Sequence, residues 1–285
     1  MKIQQHDGSI IELEKSSKEA LEVLNHSTSH LLAQAVKELY PDVLFGIGPA
    51  IENGFYYDFD FKGQLTEADL PAIEKKMKEL ASKDFKIQRS QLSKKEALEL
   101  FKDNPYKVEL INELDDDITV FSQGEFTDLC RGPHIMSTGL IKHFKLLSIA
   151  GAYWRGDSKN KQLVRIYGTS WFSAEELKSY LDILEERKKR DHRILGKQLG
   201  LFMLSEYGPG FPFWLPNGMI LREQIERFWK SQHDKYGYSQ IKTPIMLSKE
   251  LWLISGHWFH YKQNMYTSEI DEKEFAIKPM NCPGG

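Results

Sequence analysis

Two pairs of side chains that can bind a proton or a metal lie far apart in the sequence, each pair with a spacing of four residues. His26 and His30 form the first pair, and Cys130 and His134 form the second about a hundred residues later. Because four residues is about one helical turn, each pair can point both side chains the same way. A fold that brings the pairs to one cleft could hold a zinc ion or position a water molecule for attack. This convergence is the strongest constraint that the sequence places on the fold.

The composition is that of an ordinary globular protein with room for two domains. The chain has 285 residues, of which 41% are hydrophobic and 28% are charged. Its formal net charge of −3 gives no overall signature of nucleic-acid binding, although local basic patches are compatible with that total. Two cysteines are too few for a disulfide framework, which indicates a reducing compartment. Without a long apolar stretch or a signal peptide, we expect a cytoplasmic protein that has no membrane partner.

Hydrophobic periodicity divides the first part of the chain into short elements. Residues 1–13 alternate around a turn at Asp7-Gly8 and predict a β-hairpin. Residues 16–39 predict one amphipathic helix, which carries the first pair of histidines and ends before Pro41. Further elements are predicted in chain order: strands over 43–61, a helix over 66–83, a strand over 85–92, a helix over 93–103, strands near 107–112 and 118–121, and mixed β structure over 141–171.

A change of composition marks the second part of the chain. A very polar helix is predicted over 174–198, and we interpret it as a link between two domains. The sequence after it is rich in glycine, proline and aromatic residues, which is typical of loops. A helix over 219–236 and a strand over 239–245 are predicted next.

Several motifs of this chain resemble, in the same order, those of threonyl-tRNA synthetases: HSTSHLLAQAV, IGPAIENGFYYDF, DLCRGPH, IAGAYWRGDS with QLVRIYGTSW, RDHRILGKQLGLF and KPMNCPG. The resemblance covers roughly residues 17–285 and is more specific than any single motif. It implies an α+β fold, with an editing domain of mixed helices and antiparallel sheet at 17–172 and a linker helix at 173–198. Residues 199–285 would begin a class II catalytic domain built on an antiparallel sheet and left incomplete. Residues 1–16 resemble a remnant of the family's N-terminal module.

The resemblance also implies an activity and its partners. The family joins threonine to its tRNA with ATP, and its editing domain hydrolyses mischarged seryl-tRNA. Editing is needed because serine lacks only one methyl group of threonine, and a missing methyl gives about 1–3 kcal/mol of discrimination. The implied partners are the threonine tRNA, with a serine or threonine ester at its 3′ end, and a second copy of the chain, through the region from Met219 to Pro244. Zinc and ATP with Mg²⁺ serve the full-length enzymes, and we expect this chain to bind none of them stably.

Family motifs assign roles to particular residues of this chain. Four of them, His26, His30, Cys130 and His134, would hydrolyse the seryl ester together with Lys107 and Asp128. Tyr57 would line the substrate pocket. Without the resemblance, these residues would be interpreted as polar residues on a helix face, surface charges and a half-buried strand tyrosine. Related alanyl-type editing domains bind zinc with the same four side chains, whereas for the threonyl type we expect a site without metal.

Cys282 lies in the motif KPMNCPG near the end of the chain. By itself it would be interpreted as a small buried hydrophobic residue. In the family this cysteine is one of three protein ligands of the catalytic zinc, and the two histidine ligands would fall after Gly285. Since one ligand does not hold zinc, we expect Cys282 to be metal-free, mobile and open to alkylation, and Cys130 to be shielded.

Two alternative functions stay open at this point. The first is a freestanding editing hydrolase of the alanyl type, although RDHRILGKQL and KPMNCPG argue against it. The second is a tRNA-binding module without catalytic activity, which a deacylation assay would distinguish. A basic cluster fits either a phosphate-binding surface or a solvated helix face: Arg187, Lys188, Lys189, Arg190 and Arg193.

Overall fold

Ser17 begins the helix against which much of the first half of the chain packs. Its side-chain oxygen accepts a hydrogen bond from the backbone N–H of Ala20 at 3.1 Å, as a favourable N-cap does. Helix α1 then runs over Lys18–Leu39 and ends at Tyr40. The structure therefore confirms the helix predicted over 16–39.

The structure, a computed structural model, describes residues 1–63, 65–115 and 117–285. The chain forms two compact units, Met1–Lys188 and Lys189–Gly285. Both contain helices and antiparallel strands, which confirms the predicted α+β class. The functional division into a terminal segment, an editing domain, a linker helix and part of a catalytic domain stays a prediction.

After α1, the described residues form the helices α2 (Leu70–Ser82), α3 (Lys94–Leu100), α4 (Pro105–Asn112) and α5 (Ala174–Lys189), the last of which ends one residue past the boundary of the first unit. The strands are β1 (Lys2–Gln4), β2 (Ile10–Glu12), β3 (Leu44–Phe45), β4 (Ala50–Ile51), β5 (Gly54–Asp60), β6 (Ile87–Leu92), β7 (Ile118–Gln123), β8 (Phe126–Leu129), β9 (His134–Ile135), β10 (His143–Tyr153) and β11 (Gln162–Trp171).

The main sheet of this unit is antiparallel, with the strand order β10-β11-β5-β3 and with β4 beside β5. Helix α1 contacts both β5 and β11. Alternate residues of β5, Phe55, Tyr57 and Phe59, are fully buried and join the same core as Leu31 and Leu32 of α1. A second antiparallel sheet has the order β6-β7-β8. Burial of apolar side chains between α1 and the main sheet therefore fixes the position of the helix.

The hairpin predicted over 1–13 is present and joins a third sheet, of order β2-β1-β9. Strand β1 pairs antiparallel with β9, so that Ile3 lies opposite Ile135 and Gln4 lies opposite His134. Both isoleucines are fully buried in the main core. The first residues of the chain therefore support the strand that carries His134.

The strand predicted near 107–112 is wrong, because this segment belongs to α4. Asn104 caps the helix, and its side-chain oxygen accepts hydrogen bonds from two N–H groups of the first turn, including that of Lys107 at 3.4 Å. A proline opens the helix, where the N–H group that it lacks would have no helical partner. These two signals override the β-favouring residues of the segment, and Lys107 extends from a helix.

The helix predicted over 174–198 is interrupted. Helix α5 ends at Lys189, and α6 (His192–Gln198) begins after Asp191, whose carboxylate accepts a hydrogen bond from the backbone N–H of Arg193 at 2.8 Å. Aspartate is a favoured N-cap, so this residue starts a new helix where the polar pattern predicted a continuous one.

The second unit contains a small buried cluster formed by Trp252, Trp258 and Ala276. After α6 the elements are β12 (Phe202–Met203), β13 (Phe213–Trp214), α7 (Pro216–Lys235), β14 (Met246–Ser248), α8 (Lys249–Ile254), α9 (His257–Tyr261), β15 (Thr267–Ile270) and β16 (Lys273–Ile277). The strands form the pair β12-β13 and a sheet of order β14-β16-β15.

Two predictions for this unit need correction. The helix predicted over 219–236 begins earlier, since Pro216 lies in its first turn, where proline is favourable. The strand predicted over 239–245 is wrong, because pairing begins only at β14, after Pro244. Proline has no N–H group to donate to a neighbouring strand.

Helix α7 exposes its apolar residues to solvent. Ile220, Ile225, Phe228 and Trp229 are each at least half exposed. Among the described residues, no helix, α7 included, has the length and apolar content that crossing a bilayer requires.

We expect Asn104→Ala to lower the free energy of unfolding of the first unit by about 1–2 kcal/mol. The change removes the cap of α4 and also a hydrogen bond from Asn104 Nδ2 to the Phe45 carbonyl at 3.1 Å. Urea unfolding monitored by circular dichroism measures the effect. Ser93→Ala is the matched control, because Ser93 caps α3 at an exposed site and makes only local bonds. A loss at Asn104 no larger than that at Ser93 would contradict the proposed tertiary role.

Candidate functional site

The structure brings together the two pairs that lie far apart in sequence. The Sγ atom of Cys130 lies 3.4 Å from His26 Nε2 and 3.3 Å from His134 Nε2. The donor atoms of these residues and of His30 all lie within 4.8 Å of one another. The predicted convergence is therefore present, whereas the catalytic roles of the residues stay a prediction.

A tight loop between β8 and β9 presents Cys130. Gly132 has φ = 75°, in the left-handed region, and a Cβ atom there would lie only 2.9 Å from the Phe121 ring. Its N–H group donates a hydrogen bond to Cys130 Sγ at 3.1 Å. This position therefore requires glycine, both for its backbone conformation and for the space beside Phe121.

His134 is held from several sides. The hydroxyl of Ser27 on α1 lies 3.0 Å from His134 Nδ1 and accepts a hydrogen bond from the backbone N–H of Ile135 at 3.1 Å. The ring of Phe121 lies 4.5 Å from the imidazole ring, centroid to centroid. Because His134 is only 1% exposed and its strand pairs with β1, its orientation is fixed by the fold.

A buried ionic group lies beside the cysteine and histidines. Lys107 Nζ lies 2.5 Å from Asp128 Oδ1, and both side chains are 3% exposed. The hydroxyl of Tyr57 donates to Asp128 Oδ2 at 2.5 Å, and Lys107 Nζ donates to the Tyr57 oxygen at 3.3 Å. His30 Nδ1 lies 3.4 Å from the same Asp128 oxygen, so one carboxylate links the two parts of the site.

Burial keeps the histidines neutral at physiological pH. It lowers the pKa of His26 to about 4, although the negative charge of Asp128 opposes the shift. The pKa values of His30 and His134 also lie well below 6.5, first because of burial and then because a charge on one histidine would repel a charge on the next. A neutral imidazole has one nitrogen that can accept a proton, so these rings can act as bases or donors but not as permanent cations.

The thiol and the phenol of the site stay protonated for the same reason. Burial raises the pKa of Cys130 to about 12, although the N–H group of Gly132 opposes the shift. Burial and then the charge of Asp128 raise the pKa of Tyr57 well above 10. Cys130 is therefore not a ready nucleophile, because the thiolate is the reactive form.

Several supporting residues were not predicted from the sequence. Ser27 contacts His134, and Ser29 donates a hydrogen bond to the Gly48 carbonyl at 2.6 Å. A Cβ atom on Gly48 would lie 2.1 Å from the Tyr57 ring, so only glycine fits beside that tyrosine. The available signal was the polar run NHSTSH inside an otherwise amphipathic helix, since buried polar side chains need partners.

Two clefts reach different sides of the site. One of about 860 Å³ is lined by Cys130 and Arg131 together with residues of α4 and β7. The other, of about 530 Å³, is lined by Lys107 and Asp128 with Phe45 and other residues. His26 and Cys130 are partly exposed, whereas His30 and His134 are buried, so a substrate from solvent would meet the first two residues.

The cysteine and three histidines have the donor types of a tetrahedral zinc site. Cys282 has no such surroundings. It is exposed in a short turn, Cys282–Gly284, and the described residues place no cluster of three or more candidate ligands around it. The family role of Cys282 as a zinc ligand, and the expectation that this chain binds no zinc there, stay predictions.

We expect Lys107→Met to lower the free energy of unfolding by about 3–5 kcal/mol, because it leaves the buried Asp128 carboxylate without its cation. Adding Asp128→Leu should recover part of this loss, since no unpaired charge remains. Urea unfolding of the two single variants and the double variant gives the coupling free energy between the two substitutions. Lys161→Met, which breaks a pair with Asp60 whose lysine is 63% exposed, is the control and should cost at most about 1 kcal/mol. Additive effects of the two buried changes would contradict this account.

Cys282 should react with iodoacetamide much faster than Cys130 in the native protein at pH 8. Cys282 is exposed, whereas Cys130 is partly buried and its pKa is about 12. Peptide mass mapping after timed labelling measures both rates, and Cys282→Ser is the control that leaves the slow reaction alone. In urea, the difference between the labelling rates of the two cysteines should disappear. Faster native labelling of Cys130 would show that its thiol is less protected than the geometry indicates.

Part of the chain matches a known family model. Residues 118–167, which include Asp128, Cys130 and His134, match the model described as the threonyl and alanyl tRNA synthetase second additional domain. The described structure of this range consists mainly of β7 to β11.

Curated proteins similar to this chain include several bacterial threonine–tRNA ligases. The protein of Fusobacterium nucleatum is 56% identical over 285 residues, which is 98% of this chain and 46% of that protein. The protein of Clostridioides difficile is 56% identical over 272 residues, or 94% of this chain and 43% of that protein. The protein of Thermotoga maritima is 55% identical over 271 residues, which is 93% of this chain and 42% of that protein.

A solved structure is also similar in sequence. It is described as the RNA binding domain of threonyl-tRNA synthetase from Cryptosporidium parvum Iowa II, is 43% identical, and aligns over 33% of this chain and 24% of that chain with a TM-score of 0.33. The curated relatives are matched along nearly all of the present sequence, which spans less than half of their own length. The chain therefore belongs to the threonine–tRNA ligase family.

Proposed function

We propose that this chain takes part in the activity of a threonine–tRNA ligase and that its first unit hydrolyses seryl-tRNA. One observation carries the proposal: His26, His30, Cys130 and His134 converge beside the buried Lys107–Asp128 pair. Neutral imidazoles next to a fixed charge pair are the groups that activation of water and stabilisation of an oxyanion require.

His26 is assigned the role of base. It is the partly exposed histidine of the site, and its Nε2 faces only the weak donor S–H of Cys130 among the described contacts. A water molecule there would give its proton to Nε2 while its oxygen attacks the ester carbonyl carbon. When the C–O ester bond breaks, the proton passes to the ribose oxygen, and serine and tRNA are released. With its pKa of about 4, His26 is unprotonated throughout the neutral range.

Lys107, Tyr57 and Asp128 are assigned to positioning and charge stabilisation. The ammonium of Lys107 is already paired with Asp128, and Tyr57 donates to the same carboxylate. Donors held in a buried site need no reorganisation when negative charge develops on the substrate. In this proposal Asp128 keeps Lys107 and Tyr57 in place, and the carbonyl oxygen of the bound ester lies within reach of one of them.

The specificity we propose follows from size. A synthetic site can distinguish threonine from serine by only about 1–3 kcal/mol of binding free energy, so it also makes some seryl-tRNA. A second pocket that accepts serine and excludes the additional methyl of threonine can remove this product. The partner is therefore the threonine tRNA with serine at its 3′ end.

We assign the hydrolysis to the side chains without a metal ion. The side chains present already supply a base at His26 and a fixed charge pair at Lys107 and Asp128, which supports hydrolysis by these groups. ATP with Mg²⁺ and a catalytic zinc belong, in this proposal, to the whole ligase, which acts in the cytoplasm. Dimerisation is assigned to the region from Met219 to Pro244, where α7 exposes apolar side chains.

Hydrolysis of seryl-tRNA by the 285-residue chain tests the proposal. We expect measurable deacylation and no ATP-dependent threonylation. His26→Ala and His30→Ala should each lower kcat by about a hundredfold or more, since general base catalysis contributes about 10²–10⁴-fold. His260→Ala removes an exposed histidine of the second unit and is the matched control.

Three outcomes would contradict parts of this proposal. Unchanged deacylation by both histidine variants would remove their assigned roles. Threonylation by this chain would show that it holds a complete synthetic site. Loss of deacylation on treatment with EDTA, restored by zinc, would show that the site requires metal.

A further inference from the structure

Ser27 has no role in the reaction as described, yet its hydroxyl is completely buried against the site. The residue is 0% exposed on α1. Its Oγ atom lies 3.0 Å from His134 Nδ1 and 3.1 Å from the backbone nitrogen of Ile135. These two contacts determine where the protons of the group lie.

The backbone N–H of Ile135 can only donate, so it uses one lone pair of the Ser27 oxygen. The hydroxyl hydrogen then needs an acceptor, and among the described residues the one within hydrogen-bond distance is His134 Nδ1. A neutral imidazole that accepts at Nδ1 carries its proton on Nε2.

The proton on Nε2 has a defined destination. His134 Nε2 faces Cys130 Sγ at 3.3 Å, and the same sulfur accepts from the N–H of Gly132 at 3.1 Å. The thiol hydrogen can then point to His26 Nε2 at 3.4 Å. Donors and acceptors therefore follow one direction, from Ser27 through His134 and Cys130 to His26.

The fold also holds the His134 ring against a flip that would exchange its nitrogen and carbon positions. His134 lies opposite Gln4 in the β1-β9 pairing, and Phe121 covers the ring with a centroid distance of 4.5 Å. A flipped ring would turn a carbon atom towards Ser27 and leave the buried hydroxyl without an acceptor, which is unfavourable.

We propose that Ser27 is a positioning residue whose hydroxyl holds the proton of His134 on Nε2, so that His134 acts in the hydrolysis as a hydrogen-bond donor and not as a base. The inference rests on the proposed function for its catalytic part, whereas the position of the proton is a property of the protein itself. It separates the roles of the histidines, since His26 accepts a proton and His134 supplies a hydrogen bond to the sulfur.

Nitrogen NMR of the protein labelled with ¹⁵N-histidine reads the tautomer directly, without any assay of activity. At pH 7.5, the His134 resonances should show a protonated Nε2 and an unprotonated Nδ1, with the assignment made by loss of the signals in His134→Gln. Ser27→Ala should gain a substantial population protonated on Nδ1. Ser27→Thr keeps a hydroxyl and should keep the wild-type tautomer. Thr28→Val removes a buried hydroxyl of the same helix, which bonds only to the Leu24 carbonyl, and should change nothing.

Kinetics completes the test. With seryl-tRNA, Ser27→Ala should lower kcat about tenfold to a hundredfold with little change in KM, and Ser27→Thr should recover most of the loss. The Thr28→Val control should behave like the wild type.

Several results would overturn the proposal. Protonation of His134 on Nδ1 in the wild type would do so whether or not the chain hydrolyses seryl-tRNA, and zinc bound through Nε2 would give that result. An unchanged tautomer in Ser27→Ala would reduce Ser27 to a packing role. If the tautomer of His134 is as expected but neither the wild type nor any variant hydrolyses seryl-tRNA, the proposed function is wrong. The catalytic role of Ser27 is then wrong as well. The wild-type spectrum decides the proton position even if Ser27→Ala does not fold.

Discussion

Helix α1 buries polar side chains on more than one side, and the rest of the first unit supplies their hydrogen-bond partners. Asn25 exchanges hydrogen bonds with the backbone N–H and carbonyl of Ser170 on β11, at 2.8 and 3.0 Å. Ser29 reaches the loop before β4, and Ser27 reaches β9. Since an unpaired buried polar group costs about 1–3 kcal/mol, these bonds fix the helix against three different segments. No buried polar side-chain atom among the described residues lacks a partner.

The charges of the site obey the same constraint. Several buried ionisable groups lie close together, but the charge is concentrated in one ion pair, Lys107 with Asp128. Burial keeps the surrounding imidazoles, thiol and phenol in their neutral forms. Neutral groups can form hydrogen bonds with one another without the desolvation cost that a second buried charge would carry. The interior is therefore polar and ordered while it holds few charges.

Much of the site could be predicted from the sequence, but its supporting structure could not. The period of α1 and the spacing of His26 and His30 predicted one helix face, and the family motifs indicated which later residues would meet it. Lys107 was expected on a strand, because periodicity gave too little weight to the cap at Asn104. Ser27 was missed because its importance depends on a contact with His134, 107 residues away, which no local pattern encodes. Local signals thus predicted elements, whereas partners across the fold required the structure.

The pairing of β1 with β9 has a consequence for how the protein is made. Residues 2–4 are synthesised before Ile135, the partner of Ile3, which follows more than a hundred residues later. At a synthesis rate of about 5–20 residues per second, the first strand waits roughly ten seconds for its place in the sheet. During that time its edge and the apolar side chain of Ile3 are available to other chains. We expect this edge to be a place where strands of different copies can pair before folding is complete.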